Sequence, residues 1–84
     1  MTLSPTNAPE TTLDTSGLKC PLPVLKAKKA LKTMTPGAML TVIATDPGAV
    51  GDFAHFCDAS GDELLRSENL EGILTFVIRK GAPS

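Results

Sequence analysis

The clearest structural signal of the chain lies in residues 39–57, which read MLTVIATDPGAVGDFAHFC. The run from Met39 to Ala44 is apolar, short and bounded by turn residues, which predicts a buried strand in the centre of a sheet. Asp46-Pro47 is typical of a helix start, because the aspartate oxygen accepts a free backbone N–H while proline needs no partner at the first helical position. The segment therefore predicts a central strand followed directly by a helix.

The helix that begins at Asp46-Pro47 has an apolar face. Its apolar residues recur at i, i+3, i+4 and i+7, and they are Val50, Phe53, Ala54 and Cys57. Gly61 is predicted to end the helix, because glycine readily takes the left-handed conformation that follows a last turn. This spacing places Cys57 in the core as a small apolar residue.

An earlier strand and helix are predicted on the N-terminal side. Thr11 to Asp14 is read as a short first strand. Pro21 and Pro23 fit the first turn of a helix, where backbone N–H groups have no intrahelical partner. The helix is expected to end near Thr35, and its apolar stripe consists of Val24, Ala27, Leu31 and Met34.

Two strands are predicted on the C-terminal side. They are Glu63 to Ser67 and Ile73 to Lys80, joined by a loop over residues 68–72 that suits an antiparallel hairpin. The predicted order is β-α-β-α-β-β. It indicates an α+β fold, a two-layer sandwich with two helices on one face of a four-stranded mixed sheet.

Length and composition indicate one small domain. The 84 residues are 42% hydrophobic and 20% charged, which is ordinary for a globular domain. Residues 1–10 are rich in Thr, Pro, Ser and Asn and are expected to form a flexible tail, with the domain over residues 11–82. A net charge of −1 does not favour direct binding of nucleic acid or anionic membranes, and there is no Trp or Tyr for base stacking. Two cysteines and no signal-peptide pattern point to a cytoplasmic protein with reduced thiols.

Cys20 is the residue with the strongest chemical signal. It directly precedes a helix that opens with Pro21, and the N-terminus of a helix presents a positive dipole end. Lysines on both sides, at Lys19, Lys26, Lys28 and Lys29, would add positive potential. Both effects are expected to lower the thiol pKa and to make Cys20 a reactive thiolate. A cysteine that merely occupies a turn is the alternative.

The segment around Cys20, Gly17-Leu18-Lys19-Cys20-Pro21-Leu22-Pro23, resembles the Gly-hydrophobic-basic-Cys-Pro-x-Pro signature of the TusA (SirA-like) sulfur-carrier family. Further matches are Leu13-Asp14, Met34-x-Pro36-Gly37, Ala44-x-Asp46-Pro47, Phe56-Cys57 and Ile78-Arg79-Lys80-Gly81. They extend over roughly residues 12–81, and such a series of separate matches is more specific than one short motif.

The resemblance implies the same two-layer fold and a sulfurtransferase that works as a covalent carrier. Cys20 would accept sulfane sulfur as a persulfide from a donor protein, such as a cysteine desulfurase or a rhodanese. It would pass the sulfur to an acceptor protein in tRNA 2-thiolation, molybdenum cofactor synthesis or sulfur oxidation. Leu22 occupies the variable place of the signature, where some members have Glu, so the tRNA branch does not follow from the resemblance.

The resemblance also assigns roles to other residues around the cysteine. Gly17, Lys19, Pro21 and Pro23 would form the active-site loop and the helix start, and Asp46 would lie near them at the second helix N-terminus.

Partner docking and cofactors can be considered from the residues themselves. Lys26 and Lys29 could dock an acidic surface on a partner, and we expect the protein to be a monomer. Thiol exchange requires no metal, nucleotide or flavin. His55 and the two cysteines would make a poor closed zinc site, so no metal is expected.

Three alternatives remain open from the sequence. The chain could be a non-catalytic interaction or regulatory module that keeps Cys20 for the shape of its loop. It could be a thiol redox protein in which Cys57 resolves Cys20 as a disulfide, which needs their Cα atoms within about 7 Å. A partner in membrane-linked sulfur import is the third.

Overall fold

The computed structural model describes residues 10–81. Its elements are β1 (Glu10–Asp14), α1 (Leu22–Lys32), β2 (Met39–Ala44), α2 (Ala49–Ser60), β3 (Glu63–Leu70) and β4 (Ile73–Arg79). The predicted order β-α-β-α-β-β is confirmed. Of the predicted tail, Glu10 belongs to β1, while residues 1–9 lie outside the described residues, as does residue 82 of the predicted domain.

The strands within residues 10–81 form a mixed four-stranded sheet in the order β1-β2-β4-β3. β1 pairs with β2 in parallel, and β4 pairs antiparallel with both β2 and β3. β2 is therefore an interior strand, as its apolar sequence predicts. Alternate residues of β2 are fully buried, namely Leu40, Val42 and Ala44. They point to the layer formed by α1 and α2, so both helices cover one face of the sheet, as expected.

The core lies between this face and the helices. α1 contributes Ala27 and Leu31, both buried as the periodicity predicts. In α2 the ring of Phe53 stacks on Phe76 of β4 with the ring centroids 4.5 Å apart. Such a pair adds to the free energy gained by burying the two rings.

The start of α2 differs from its prediction. The carbonyl of Asp46 accepts the N–H of Ala49 at 2.9 Å, so the chain makes a turn before the helix begins at Ala49. Pro47 lies in this turn and not in the helix. The buried stripe is consequently Ala49, Phe53 and Cys57, while Val50 is 43% exposed and Ala54 is also exposed. The prediction that Val50 and Ala54 face the core is wrong.

The end of α1 also differs from its prediction. The helix ends at Lys32 because the next amides bond three residues back, with Met34 donating to the Leu31 carbonyl at 3.1 Å. The ammonium of Lys80 donates to the same carbonyl at 2.6 Å and is a second donor to it, from the end of β4. Met34 still packs against the core, although it lies beyond the helix.

The last two strands are joined by a tighter turn than the predicted loop over residues 68–72. Glu71 and Gly72 both have positive φ, at 52° and 88°, as in the two-residue turns that match the twist of a hairpin. β3 therefore continues to Leu70.

The C-terminal end of α2 agrees with its prediction. Gly61 has a φ of 85° and its N–H bonds to the Cys57 carbonyl, which confirms it as the helix terminator.

Candidate functional site

Two loops meet at the edge of the sheet where β1 and β2 end. Because these strands are parallel, residues 15–21 after β1 and residues 45–48 after β2 leave the sheet on the same side. Thr15 is buried, and both its N–H and its hydroxyl donate to the carbonyl of Ile43, at 2.8 and 2.6 Å. The N–H of Gly17 donates to the hydroxyl of Thr45 at 2.9 Å. The two loops are thereby fixed to each other.

Cys20 is exposed in the first of these loops. Its backbone N–H donates to Oδ2 of Asp46 at 2.5 Å, and Oδ1 of Asp46 accepts the N–H of Gly48 at 3.1 Å. One carboxylate thus connects the cysteine backbone with the turn before α2. These two N–H groups, that of Cys20 first, lower the pKa of Asp46 below its ordinary value of 3.8, and the charge of Lys19 acts in the same direction.

Asp46 was predicted to cap α2, and this prediction is wrong. The N-cap position is Gly48, and the Asp46 side chain makes no capping bond to the helix. Its oxygens are instead occupied by the amides of Cys20 and Gly48, and the first of these lies in a different loop. Asp46 does lie beside Cys20, as the resemblance implied.

The thiol of Cys20 faces the first turn of α2. Sγ donates a hydrogen bond to Oδ2 of Asp52. This bond raises the pKa of the Cys20 thiol from 9.0 to about 11, with smaller contributions from desolvation and from the negative charges of Asp52 and Asp46. The expectation of a lowered pKa is therefore wrong for the free protein, because a carboxylate stands where the helix dipole and the lysines were expected to dominate.

Gly48 lies directly beside the cysteine. A Cβ atom at this position would lie 3.4 Å from Cβ and 3.5 Å from Sγ of Cys20. The side chain of Cys20 therefore packs against the backbone of the second loop on one side while it stays open to solvent on the other.

The prolines of the motif occupy the predicted helix start. Pro21 is the N-cap of α1 and follows Cys20 through a cis peptide bond. Pro23 is buried in the first turn, and Leu22 between them is exposed. Proline suits both positions because the first amides of a helix need no intrahelical acceptor.

The predicted basic residues lie at different distances from the thiol. Lys19 is exposed next to Cys20 and close enough to Asp46 to lower its pKa. Lys26 and Lys29 are exposed on α1, four and seven residues after Leu22, which is about 6 and 10 Å along the helix axis. The structure thus brings Cys20, Lys19 and Asp46 together, and leaves the other two lysines further along the helix.

Asp52 and Gly48 are the site residues that the sequence did not identify. Nothing in the local sequence connects Asp52 with Cys20, which lies 32 residues earlier. The available signal was its position six residues after Asp46, early in a predicted helix whose start was expected near the cysteine.

Cys57 lies toward the opposite end of α2. It is 5% exposed, and burial raises the pKa of its thiol to about 11, with a further effect from the charge of Asp62. It follows Gly48 by nine residues, a separation of about 13 Å along the helix. Since a disulfide needs Cα atoms within about 7 Å, this arrangement does not allow a Cys20–Cys57 bond. Both cysteines are free.

Residues 10–81 contain neither a cluster of metal ligands nor a membrane-spanning helix. No group of three or more His, Cys, Asp or Glu side chains in this part of the chain is arranged to hold a metal ion. His55 is exposed while Cys57 is buried, so the two do not face a common site. Over the same residues, no helix is long and apolar enough to cross a membrane.

Comparison with known proteins places this geometry in context. The sequence model of the family described as sulfurtransferase TusA matches residues 11–80. The sulfur carrier protein TusA of Allochromatium vinosum is 53% identical over 68 residues, which cover 81% of this chain and 90% of that protein. A Neisseria meningitidis serogroup A protein, named as a candidate sulfur carrier, is 54% identical over 68 residues, covering 81% of this chain and 92% of its own.

A solved structure is similar as well. The SirA-like protein of Desulfitobacterium hafniense superposes with a TM-score of 0.68 at 29% sequence identity. The superposition covers 84% of this chain and 97% of that one. The architecture described above is therefore the SirA-like fold.

Proposed function

Because this chain belongs to the TusA sulfurtransferase family, whose curated relatives are sulfur carriers, we propose that it carries sulfur as a persulfide on Cys20. The observation that carries the proposal is the placement of this thiol. Cys20 is exposed and its backbone is fixed by Asp46, whereas Cys57 is buried. A partner protein can reach the first sulfur and not the second.

The chemistry of loading is a thiol–persulfide exchange. After its proton has passed to solvent, Cys20 Sγ attacks the outer sulfur of a persulfide on the donor protein. A new S–S bond forms at Cys20, the S–S bond of the donor breaks, and the donor cysteine leaves as a thiolate. Release repeats the exchange with an acceptor thiol as nucleophile and Cys20 as leaving group. No net oxidation occurs.

Two successive protein partners follow from this chemistry. We infer a donor such as a cysteine desulfurase or a rhodanese, and an acceptor protein in tRNA 2-thiolation, molybdenum cofactor synthesis or sulfur oxidation. The surface around Cys20 suits transient protein contacts, because Leu22 and Leu25 of α1 and Val50 of α2 are 43–50% exposed in the first turns of the two helices. Apolar residues of this kind form the centres of protein interfaces.

The test is intact-protein mass spectrometry after incubation with a cysteine desulfurase and cysteine. The wild type is expected to gain the mass of one sulfur, which dithiothreitol removes. Cys20→Ser should gain none, and Cys57→Ser, the matched control, should still be loaded. Loading that maps to Cys57, or none with desulfurases and rhodaneses alike, contradicts the proposal and favours an interaction module.

Such a module predicts a different result in a second measurement. If the chain acts only by binding, Cys20→Ser binds its partner and exerts its effect as the wild type does. A carrier loses its effect in this variant although binding persists.

A further inference from the structure

The hydrogen bond between Cys20 and Asp52 has a specific electrostatic setting. Three charged groups face the thiol region: Asp52 from α2, Asp46 from the loop after β2, and Lys19 from the cysteine's own loop. The charge of Lys19 acts on Asp46. Both oxygens of Asp46 also accept backbone N–H groups. Asp46 is therefore engaged in holding the loops, and Asp52 is the carboxylate that contacts the sulfur.

Asp52 lacks a compensating cation in the described part of the chain. The ion pairs within residues 10–81 are Arg66–Glu68 and Arg79–Glu63, both on the hairpin of β3 and β4. A carboxylate without a cationic partner stabilises a neutral hydrogen-bond donor and destabilises an adjacent anion. The state of the Cys20 sulfur that fits this contact is thus the thiol.

From this geometry we propose that Asp52 is a positioning residue that holds Cys20 of the sulfur-free carrier as a neutral thiol. The proposal rests on the sulfur-carrier function above and adds a residue to it. A thiol held in this form reacts slowly with small electrophiles and oxidants that meet it by diffusion, because the thiolate is the nucleophile.

The reaction of Cys20 with a docked donor protein is slowed less by this hydrogen bond to Asp52. The donor holds its outer sulfur against Cys20 for the lifetime of the complex, and such proximity gives a high effective concentration. The small thiolate fraction is then sufficient for exchange. Asp52 thereby favours the reaction of Cys20 with a docked partner protein over its reaction with small reagents in solution.

The test compares the full chain with Asp52→Asn, which keeps the size of the side chain and removes its charge. The rate of Cys20 alkylation by iodoacetamide is measured between pH 7 and 10, with the site assigned by peptide mass spectrometry. Asp58→Asn is the matched control, because Asp58 is an exposed aspartate on the same helix, six residues further along.

The expected effect can be scaled from the two pKa values. At pH 8 a thiol with a pKa of about 11 is about 0.1% ionised, and a return toward 9.0 raises this fraction up to about 100-fold. The less basic thiolate is intrinsically slower by about tenfold. Asp52→Asn should therefore be alkylated up to about tenfold faster at pH 8, and its rate should begin to level off by pH 10 while that of the wild type still rises.

The outcome that overturns the proposal is an Asp52→Asn profile that coincides with those of the wild type and Asp58→Asn. Thermal melting of each variant shows whether the fold is retained. Sulfur loading, measured separately, distinguishes the two proposals. A shifted profile in a protein that never gains sulfur contradicts the carrier function alone, and normal loading with an unshifted profile contradicts the role of Asp52 alone.

Discussion

The two cysteines of this chain have thiols with similarly raised pKa values and entirely different surroundings. Cys20 is exposed in the loop before α1, where its thiol faces the first turn of α2, and its pKa is raised chiefly by a hydrogen bond to Asp52. Cys57 is buried near the end of the same helix, and its pKa is raised chiefly by burial. A neighbouring charge can be removed by one substitution or compensated by a partner, whereas burial is removed only by unfolding. The same direction of pKa shift therefore belongs, at Cys20, to a thiol whose reactivity a substitution or a partner can change and, at Cys57, to an unreactive thiol.

The largest expected difference between them is accessibility to a thiol reagent. In native buffer, N-ethylmaleimide should modify Cys20 at least about 1,000-fold faster than Cys57, since reaction at a buried site waits for an opening that costs several kcal/mol. Peptide-resolved mass spectrometry over a time course measures both rates. In denaturant the two rates should converge. Comparable rates in native buffer would show that Cys57 is not protected by the fold.

The second difference concerns stability. Cys57→Ser places a hydroxyl among core residues and is expected to lower the free energy of unfolding by about 1–3 kcal/mol. Cys20→Ser, at an exposed position, should leave the denaturation midpoint unchanged. Urea denaturation followed by circular dichroism compares the two serine variants directly. An equal loss in both would mean that the loop thiol also contributes to folding.

The third prediction concerns the pH dependence of the stability that Asp46, the carboxylate bonded to the Cys20 N–H, contributes. The pKa of Asp46 is lowered in the folded state, so the stability that it contributes is present above its ordinary pKa of 3.8 and is lost as the pH falls through the folded value. Asp46→Asn should therefore melt at a lower temperature than the wild type at pH 7, and this difference should shrink below pH 4. Asp58→Asn serves as the charge-matched control and should show neither effect. A difference that persists unchanged at pH 3 would contradict a role for the ionised carboxylate.

The smallest expected effect belongs to the lysines of α1. Replacing Lys26 and Lys29 together by Ala should slow association with a sulfur donor by a few-fold at low ionic strength, and the difference should vanish at high salt, because exposed charges act mainly through long-range attraction. Stopped-flow or surface-binding kinetics at two salt concentrations measure it. Lys32→Ala, in the last turn of the same helix, is the control. An unchanged rate at low salt would assign these lysines to a merely solvated face.

Much of the fold followed from local patterns. The element order, the interior position of β2 and the buried Cys57 were all predicted, since each depends on periodicity or on a turn residue near in sequence. The length of β3 was not, because a two-residue turn at Glu71-Gly72 requires a positive φ at a glutamate. The start of α2 was also missed, because the carboxylate expected to cap it binds an amide 26 residues away.

The geometry of the candidate site was also predicted only in part, because local sequence determines some of its contacts and tertiary structure determines the others. The position of Cys20 directly before a helix was predicted from its own flanking residues, and Lys19, Pro21 and Pro23 belong to the same motif. Their roles in sulfur transfer stay predictions. The predicted direction of the Cys20 pKa shift was wrong, because the carboxylate that accepts the hydrogen bond of the thiol, Asp52, comes from another loop–helix unit and reaches the sulfur only through the parallel pairing of β1 and β2. Local sequence places a thiol at a helix start, and tertiary structure decides its protonation.

The position of Cys57 on α2 bears on the lifetime of the persulfide proposed for Cys20. Cys57 is enclosed in the core and lies about 13 Å along the helix from Gly48, the neighbour of Cys20, so the proposed persulfide could not form a Cys20–Cys57 disulfide with loss of sulfide. The persulfide sulfur would leave when another molecule arrives to take it. The lifetime of the proposed persulfide would therefore depend on how often the protein meets other molecules in solution, and not on a second thiol of the same chain.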